Sequence, residues 1–152
     1  MGARGMERPL PPGLIGRAIG WLECVPLCIP EVFFRLGIGL AFWRSGQTKI
    51  QSWPTTLALF SDEYKVPILP PEIAAYIATA VELTAPILLL LGLATRLGAA
   101  AMLVMTIVIQ TFVYPQSYPT HLLWAGPIIY LIIRGPGVLS IDHLIRKRFA
   151  RP

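Results

Sequence analysis

Apolar residues fall into four long runs separated by charged, glycine-rich or proline-rich breaks. The runs cover about Pro30 to Trp43 or Ser45, Pro71 to Leu93, Leu97 to Val113 and His121 to Ile133. They approach the roughly 20 residues a helix needs to cross a bilayer. Pro71 and Glu72 open the second run, and both suit the first turn of a helix. Its far half, PILLLLGL, is almost pure hydrocarbon. Tight turns are predicted at Gly92 to Arg96 and at Tyr114 to Thr120 (YPQSYPT), and the fourth run stops at Arg134, Gly135, Pro136 and Gly137. The pattern predicts an all-α membrane protein, a four-transmembrane-helix bundle in which spans two, three and four are antiparallel neighbours.

The flanks read differently. Residues 1–13 form a basic, proline-interrupted tail without a clean signal-peptide core, read as disordered and cytoplasmic. Residues 14–29 carry Leu14, Ile15, Ala18, Ile19 and Leu22 at helical spacing, with Trp21 as an anchor, and predict an N-terminal amphipathic interfacial helix. Pro26 and Pro30 should break or bend it before the first span. Residues 30–145 make the membrane domain and 146–152 a basic tail. The one long connection, Gly46 to Pro70, has room for a re-entrant or interfacial helix around Gln51 to Leu59.

Composition supports the bilayer reading: 55% of the 152 residues are hydrophobic and 14% charged, against about 25% charged in a typical soluble domain. The net charge of +5 sits at the chain ends and beside the apolar runs, with no interleaved basic and aromatic stripe. The sequence therefore points to anionic headgroups and not to nucleic acid. With both termini inside, the inner side holds nine cations (Arg4, Arg8, Arg17, Arg96, Arg134, Arg146, Lys147, Arg148, Arg151) against three outside (Arg44, Lys49, Lys65). That bias predicts a multi-pass protein of the bacterial inner membrane with cytoplasmic termini.

Ionisable groups within a span usually face the bundle interior and find partners there. Arg35 in the first span and Glu82 in the second are expected to form an interhelical ion pair. Glu31, four residues before Arg35 on the same face, could share the guanidinium. This pair either fixes packing alone, or lines a cavity for an anionic or quinone-like ligand or relays protons. A second polar group lies toward the outer face: Arg44, Gln47, Lys49, Tyr114, Tyr118, His121 and Trp124. It reads as an aromatic belt or as a ligand mouth, with Arg44, Lys49 and His121 supplying charge and Trp43, Trp53 and Trp124 supplying stacking surface. Gln110 is expected to hydrogen-bond across helices. Gly37, Gly39 and the run Ala99 to Ala101 should permit close helix approach. Cys24 and Cys28 are four apart, poorly spaced for a redox motif, and read as apolar packing or palmitoylation sites, with thiol redox exchange as the alternative. His121 and His143 fall on opposite sides of the bilayer, so no metal site is expected.

Three segments carry a resemblance: RLGIGLAFWRSGQTKI (Arg35 to Ile50), VELTAPILLLLGLATRLGAAAM (Val81 to Met102) and GPGVLSIDHLI (Gly135 to Ile145). Together they resemble the DoxX family of small four-helix bacterial membrane proteins. The shared pattern is an Arg-Leu-x-x-Gly start and a Gly-x-x-Lys close to the first span, a Glu early in the second, a Leu-Gly-Leu-x-Thr-Arg turn and a Gly-Pro-Gly … Ser-x-Asp ending. The match singles out Arg35, Gly39, Gly46, Lys49, Glu82, Gly92, Thr95, Arg96, Gly135, Ser140 and Asp142. Gly92 and Gly135 read as helix ends, and Asp142 as a cap on its own helical turn or a partner of Arg96 or Arg134. The resemblance implies a membrane subunit or scaffold of a redox or stress-response system, or else a quinone-linked oxidoreductase component. Quinone is then the candidate cofactor. The implied partners are the lipid bilayer, a protein subunit of a membrane complex and further copies of the chain.

Overall fold

The structure, a computed structural model, describes residues 26–67 and 69–149, and every regular element among them is helical. Helix α1 spans Cys28–Gln51. Helix α2, Trp53–Ala58, runs on into a π turn, Leu59–Tyr64. Helix α3 spans Pro71–Leu91. Helix α4, Thr95–Val108, also ends in a π turn, Ile109–Val113. After one 3₁₀ turn, Pro115–Ser117, come α5, Tyr118–Arg134, and α6, Ile141–Phe149. Among the described residues, Pro71–Leu91 and Thr95–Val113 are long and apolar enough to cross a membrane by length and composition.

Helix α1 is longer than the apolar run that predicts it. Pro30 lies inside its first turn, where a missing N–H is harmless. At the other end the helix runs past Ser45 through Gln47 and Lys49 to Gln51. Its buried positions, Glu31, Arg35, Ile38, Gly39, Phe42 and Gly46, recur at helical spacing and form one face. Glu31 and Arg35 therefore lie on the packed side, while Phe33, Leu36 and Leu40 point outward. Helix α6 likewise takes in Arg146, Lys147, Arg148 and Phe149, so the basic end begins as helix and not as tail. The predicted tail over residues 1–13, nearly all of the predicted helix over 14–29, and Cys24 lie outside the described residues.

Helix α1 packs mainly on α3 and also touches α5, while α4 packs on both α3 and α5. Their shared core is Ile38, Phe42, Ala85, Leu89, Ala99, Met102, Ile128 and Leu131. Between apolar helices in lipid, association comes from close packing and not from water exclusion, so small residues decide the approach. A Cβ on Gly39 would come within 3.3 Å of the Leu90 side chain, and one on Gly98 within 3.0 Å of Leu89. Ala99 is fully buried in the same seam. Gly37, expected to do the same work, has nothing within 4 Å of a Cβ and faces outward. Helix α2 lies over the N-terminal half of α3, where Phe60, Ala74 and Ala75 form a second cluster with Trp53, Leu57, Tyr64 and Ala78. A helix thus occupies the long connection, as its length allows.

Candidate functional site

The helix register separates the two charges expected to pair. Gly46 of α1 lies against Glu82, and a Cβ there would sit 3.0 Å from the Glu82 Cβ and 3.1 Å from its carbonyl carbon. Arg35 meets Gly92 instead. Gly92 is ten residues beyond Glu82, about 15 Å along a helix. The expectation of an Arg35–Glu82 pair is therefore wrong. It assumed that the inner ends of α1 and α3 align at Pro30, whereas α1 begins earlier and meets α3 in a shifted register.

Glu82 pairs with Lys49. The ammonium nitrogen lies 2.7 Å from Oε2 and donates to Oε1 at 2.9 Å. Ser45 Oγ donates to the same Oε1 at 3.0 Å and accepts from Lys49 Nζ at 3.0 Å. Ser45 and Lys49 are one helical turn apart, with Gly46 between them letting α3 come close. Pro86 lies four residues after Glu82 within α3 and lacks the N–H that would close the helix onto the Glu82 carbonyl. The pair is nearly dry, its two side chains 12% and 4% exposed. A buried ion pair in so apolar a setting stands only if geometry and added hydrogen bonds offset the loss of hydration, which Ser45 helps to supply. Glu82 Oε2 has the ionic contact but no partner with hydrogen-bond geometry.

That carboxylate opens on a cavity of about 380 Å³. Most of its wall is hydrocarbon, including Ile77, Val81, Val104, Met105, Val108 and Ile109, with Ser45, Lys49, Glu82 and His121 as its polar side. Tyr64, Tyr114 and Trp124 add aromatic surface. His121 Nδ1 lies 2.6 Å from Gln110 Oε1, and the imidazole packs on Trp124 at 5.5 Å between ring centroids. Gln110, whose amide nitrogen donates to the Pro115 carbonyl, makes the cross-helix bond its isolation in the third apolar run predicts. At the rim, outside the membrane-spanning segments, the Tyr114 hydroxyl donates to Glu63 Oε1 at 2.7 Å. That bond, with some burial, holds the phenol above its usual range.

Of the expected outer group, Lys49, Tyr114, His121 and Trp124 line the cavity, while Arg44, Gln47 and Tyr118 do not. Arg44 is exposed, and Trp53 stacks on Tyr76 at 4.6 Å. Ser45 and Tyr64 line the cavity without having been singled out. Ser45 was legible as the residue one turn before Lys49.

Glu31 and Arg35 hold the opposite end of α1 in place. Arg35 Nη2 donates to the Leu139 carbonyl at 2.7 Å, and Tyr130 donates to Glu31 Oε1 at 3.2 Å. Arg35 Nη1 packs against Gly92, and Glu31 against Gly137, where a side chain at either glycine would collide. Asp142 caps α4 and not its own helix: its two oxygens accept from the amides of Ala94 (2.8 Å) and Thr95 (3.0 Å). Its own amide donates to the Gly92 carbonyl at 2.8 Å. This clamp holds Ala94 in left-handed backbone, φ 45°. Ser140, whose Oγ accepts from the His143 amide at 3.2 Å, caps α6 instead. Gly92 and Gly135, at φ 64° and 90°, end α3 and α5 as expected. Arg96 reaches the Ile133 carbonyl at 3.3 Å. Among the described residues no three His, Cys, Asp or Glu side chains come together as a metal site would require.

Long apolar helices with outward-facing Leu97, Leu123 and Ile133, each at least two-thirds exposed, around a buried ion pair define a helical membrane protein. The chain belongs to the DoxX family, whose sequence profile matches residues 31–115. It is also similar to an uncharacterized protein of Haemophilus influenzae, 28% identical over 128 residues, covering 76% of this chain and 83% of that one. No solved structure matches it.

Proposed function

We propose that the protein crosses the bacterial inner membrane four times, with α1, α3, α4 and α5 as spans and both termini in the cytoplasm. Within that bundle it holds a lipophilic ligand of the quinone class against Lys49 and Glu82, as the membrane subunit of a redox or stress-response system. The excess of cations on the side of Arg96, Arg134 and Arg146 supports the orientation. The observation that carries the ligand reading is the Lys49–Glu82 pair facing a largely apolar cavity of about 380 Å³. Sites for such molecules join an apolar enclosure to a few placed polar groups. Lys49 and Glu82 place one cationic and one anionic group on the wall of this enclosure, where the oxygens of a quinone or quinol ring would be drawn to them. The ligand's chain would run between the aliphatic side chains of α3 and α4. Electrons would reach it from a protein partner.

The test is extraction in mild detergent, followed by mass spectrometry of the organic-soluble material that purifies with the protein. A quinone at near-equal molar amount, lost in a Lys49→Met/Glu82→Leu variant that still folds, is the expected result. Quinone no more abundant than in the bulk membrane extract would leave the scaffold reading, in which the pair only fixes packing.

A further inference from the structure

The end of the molecule formed by α6 and the loop before it carries cations that take no part in the Lys49–Glu82 cavity. Gly135 and Gly137, at φ 90° and 82°, turn the chain back after α5, and the Asp142 clamp fixes the start of α6 against the start of α4. This fold-back leaves two clefts side by side, of about 400 and 380 Å³. Arg134 and His143 line the first, Arg96 and Ile145 the second, and Arg146 and Pro136 both.

Acidic groups are close by but already engaged. Glu31, in the first cleft, takes the Tyr130 hydroxyl, and Asp142, in the second, takes the amides of Ala94 and Thr95. Among the described residues the one ion pair within 4.0 Å is Lys49–Glu82, and Arg96, Arg134 and Arg146 pair with no carboxylate of those residues. Apolar side chains stand beside these cations: Leu97 is 70% exposed, Leu144 64% and Phe149 81%. Unneutralised guanidinium groups beside outward-facing hydrocarbon match a phosphate that carries acyl chains.

We propose that this double cleft is a binding site for an anionic phospholipid, its phosphate held by Arg146 with Arg96 or Arg134 and its chains lying along Leu97 and the apolar face of α6. The site would dock the fold-back onto the cytoplasmic leaflet. It rests on the membrane reading and its orientation, and not on what fills the Lys49–Glu82 cavity.

The test places the full chain in nanodiscs of phosphatidylcholine with a minor share of phosphatidylglycerol. Lipids retained after detergent transfer are counted by native mass spectrometry. Phosphatidylglycerol should be enriched about tenfold over its share. The enrichment should vanish in Arg96→Gln/Arg134→Gln/Arg146→Gln. It should persist in Lys147→Gln/Arg148→Gln, which removes charge from the same face outside the clefts. No enrichment in the wild-type protein overturns the proposal whether or not the variants fold. Loss in this double variant equal to that in Arg134→Gln/Arg146→Gln overturns it as mere surface charge. Inorganic phosphate at millimolar concentration displacing the lipid completely would mark a site for free phosphate and overturn it as well.

Discussion

The C-terminal and N-terminal halves of α1 both bury charge against α3 or the chain beyond it, yet the two regions differ in what lies next to the charge. Near the C-terminal end, Lys49 and Glu82 pair with each other on the wall of an apolar cavity. Near the N-terminal end, Arg35 is committed to the Leu139 carbonyl and packed under Gly92 and Ser140, with no space for another molecule between them. A buried charge in a helix seam therefore does not by itself make a site. Room beside it does, and that depends on which residues around it are small.

The largest expected effect breaks the Lys49–Glu82 pair. Lys49→Met alone should destabilise the fold by about 3–5 kcal/mol, because it leaves Glu82 buried without its cation. The double variant Lys49→Met/Glu82→Leu should be closer to wild type than either single change. Thermal unfolding in detergent reads all three, and a double variant as damaged as the sum of the singles would deny the coupling. At the N-terminal end of α1, Gly92→Ala meets a left-handed backbone, the Ser140 Cα at 2.9 Å and the Arg35 guanidinium together. A loss of about 2–4 kcal/mol is expected from strain and overpacking in the same assay. Beside the Lys49–Glu82 pair, Gly46→Ala should cost about 1–3 kcal/mol by pushing on Leu83 and Glu82, while Gly37→Ala should be neutral or slightly stabilising. Equal melting temperatures for these two would show that α1 does not approach α3 as described. The smallest change is Tyr114→Phe, which removes an exposed bond to Glu63 and should cost less than about 1 kcal/mol.

The helices themselves were readable because long apolar runs and their glycine and proline breaks act locally. Gly92 and Gly135 stand where such helices must stop. The pairing of charges was not readable, because it depends on register, and one shifted helix start moves every contact along the seam. Taking α1 from Pro30 brought Arg35 within apparent reach of Glu82, while the Gly46-x-x-Lys49 segment that does meet it was assigned to the surface. Asp142 was misplaced for a related reason. A residue two positions after a serine suggests a local cap, and nothing in the sequence shows that the loop at Gly135 to Ser140 folds back onto the start of α4.

The central claim is that the cavity beside Lys49 and Glu82 binds a quinone-like molecule. Titration with a short-chain, water-soluble quinone, followed by quenching of the Trp124 indole with Trp124→Phe as the blank, tests it most directly. The account predicts saturable quenching in the wild-type protein, retained in Arg35→Lys and abolished by Ala101→Phe, which fills the cavity from α4. Quenching that rises without saturation, or that is unchanged by Ala101→Phe, would contradict it.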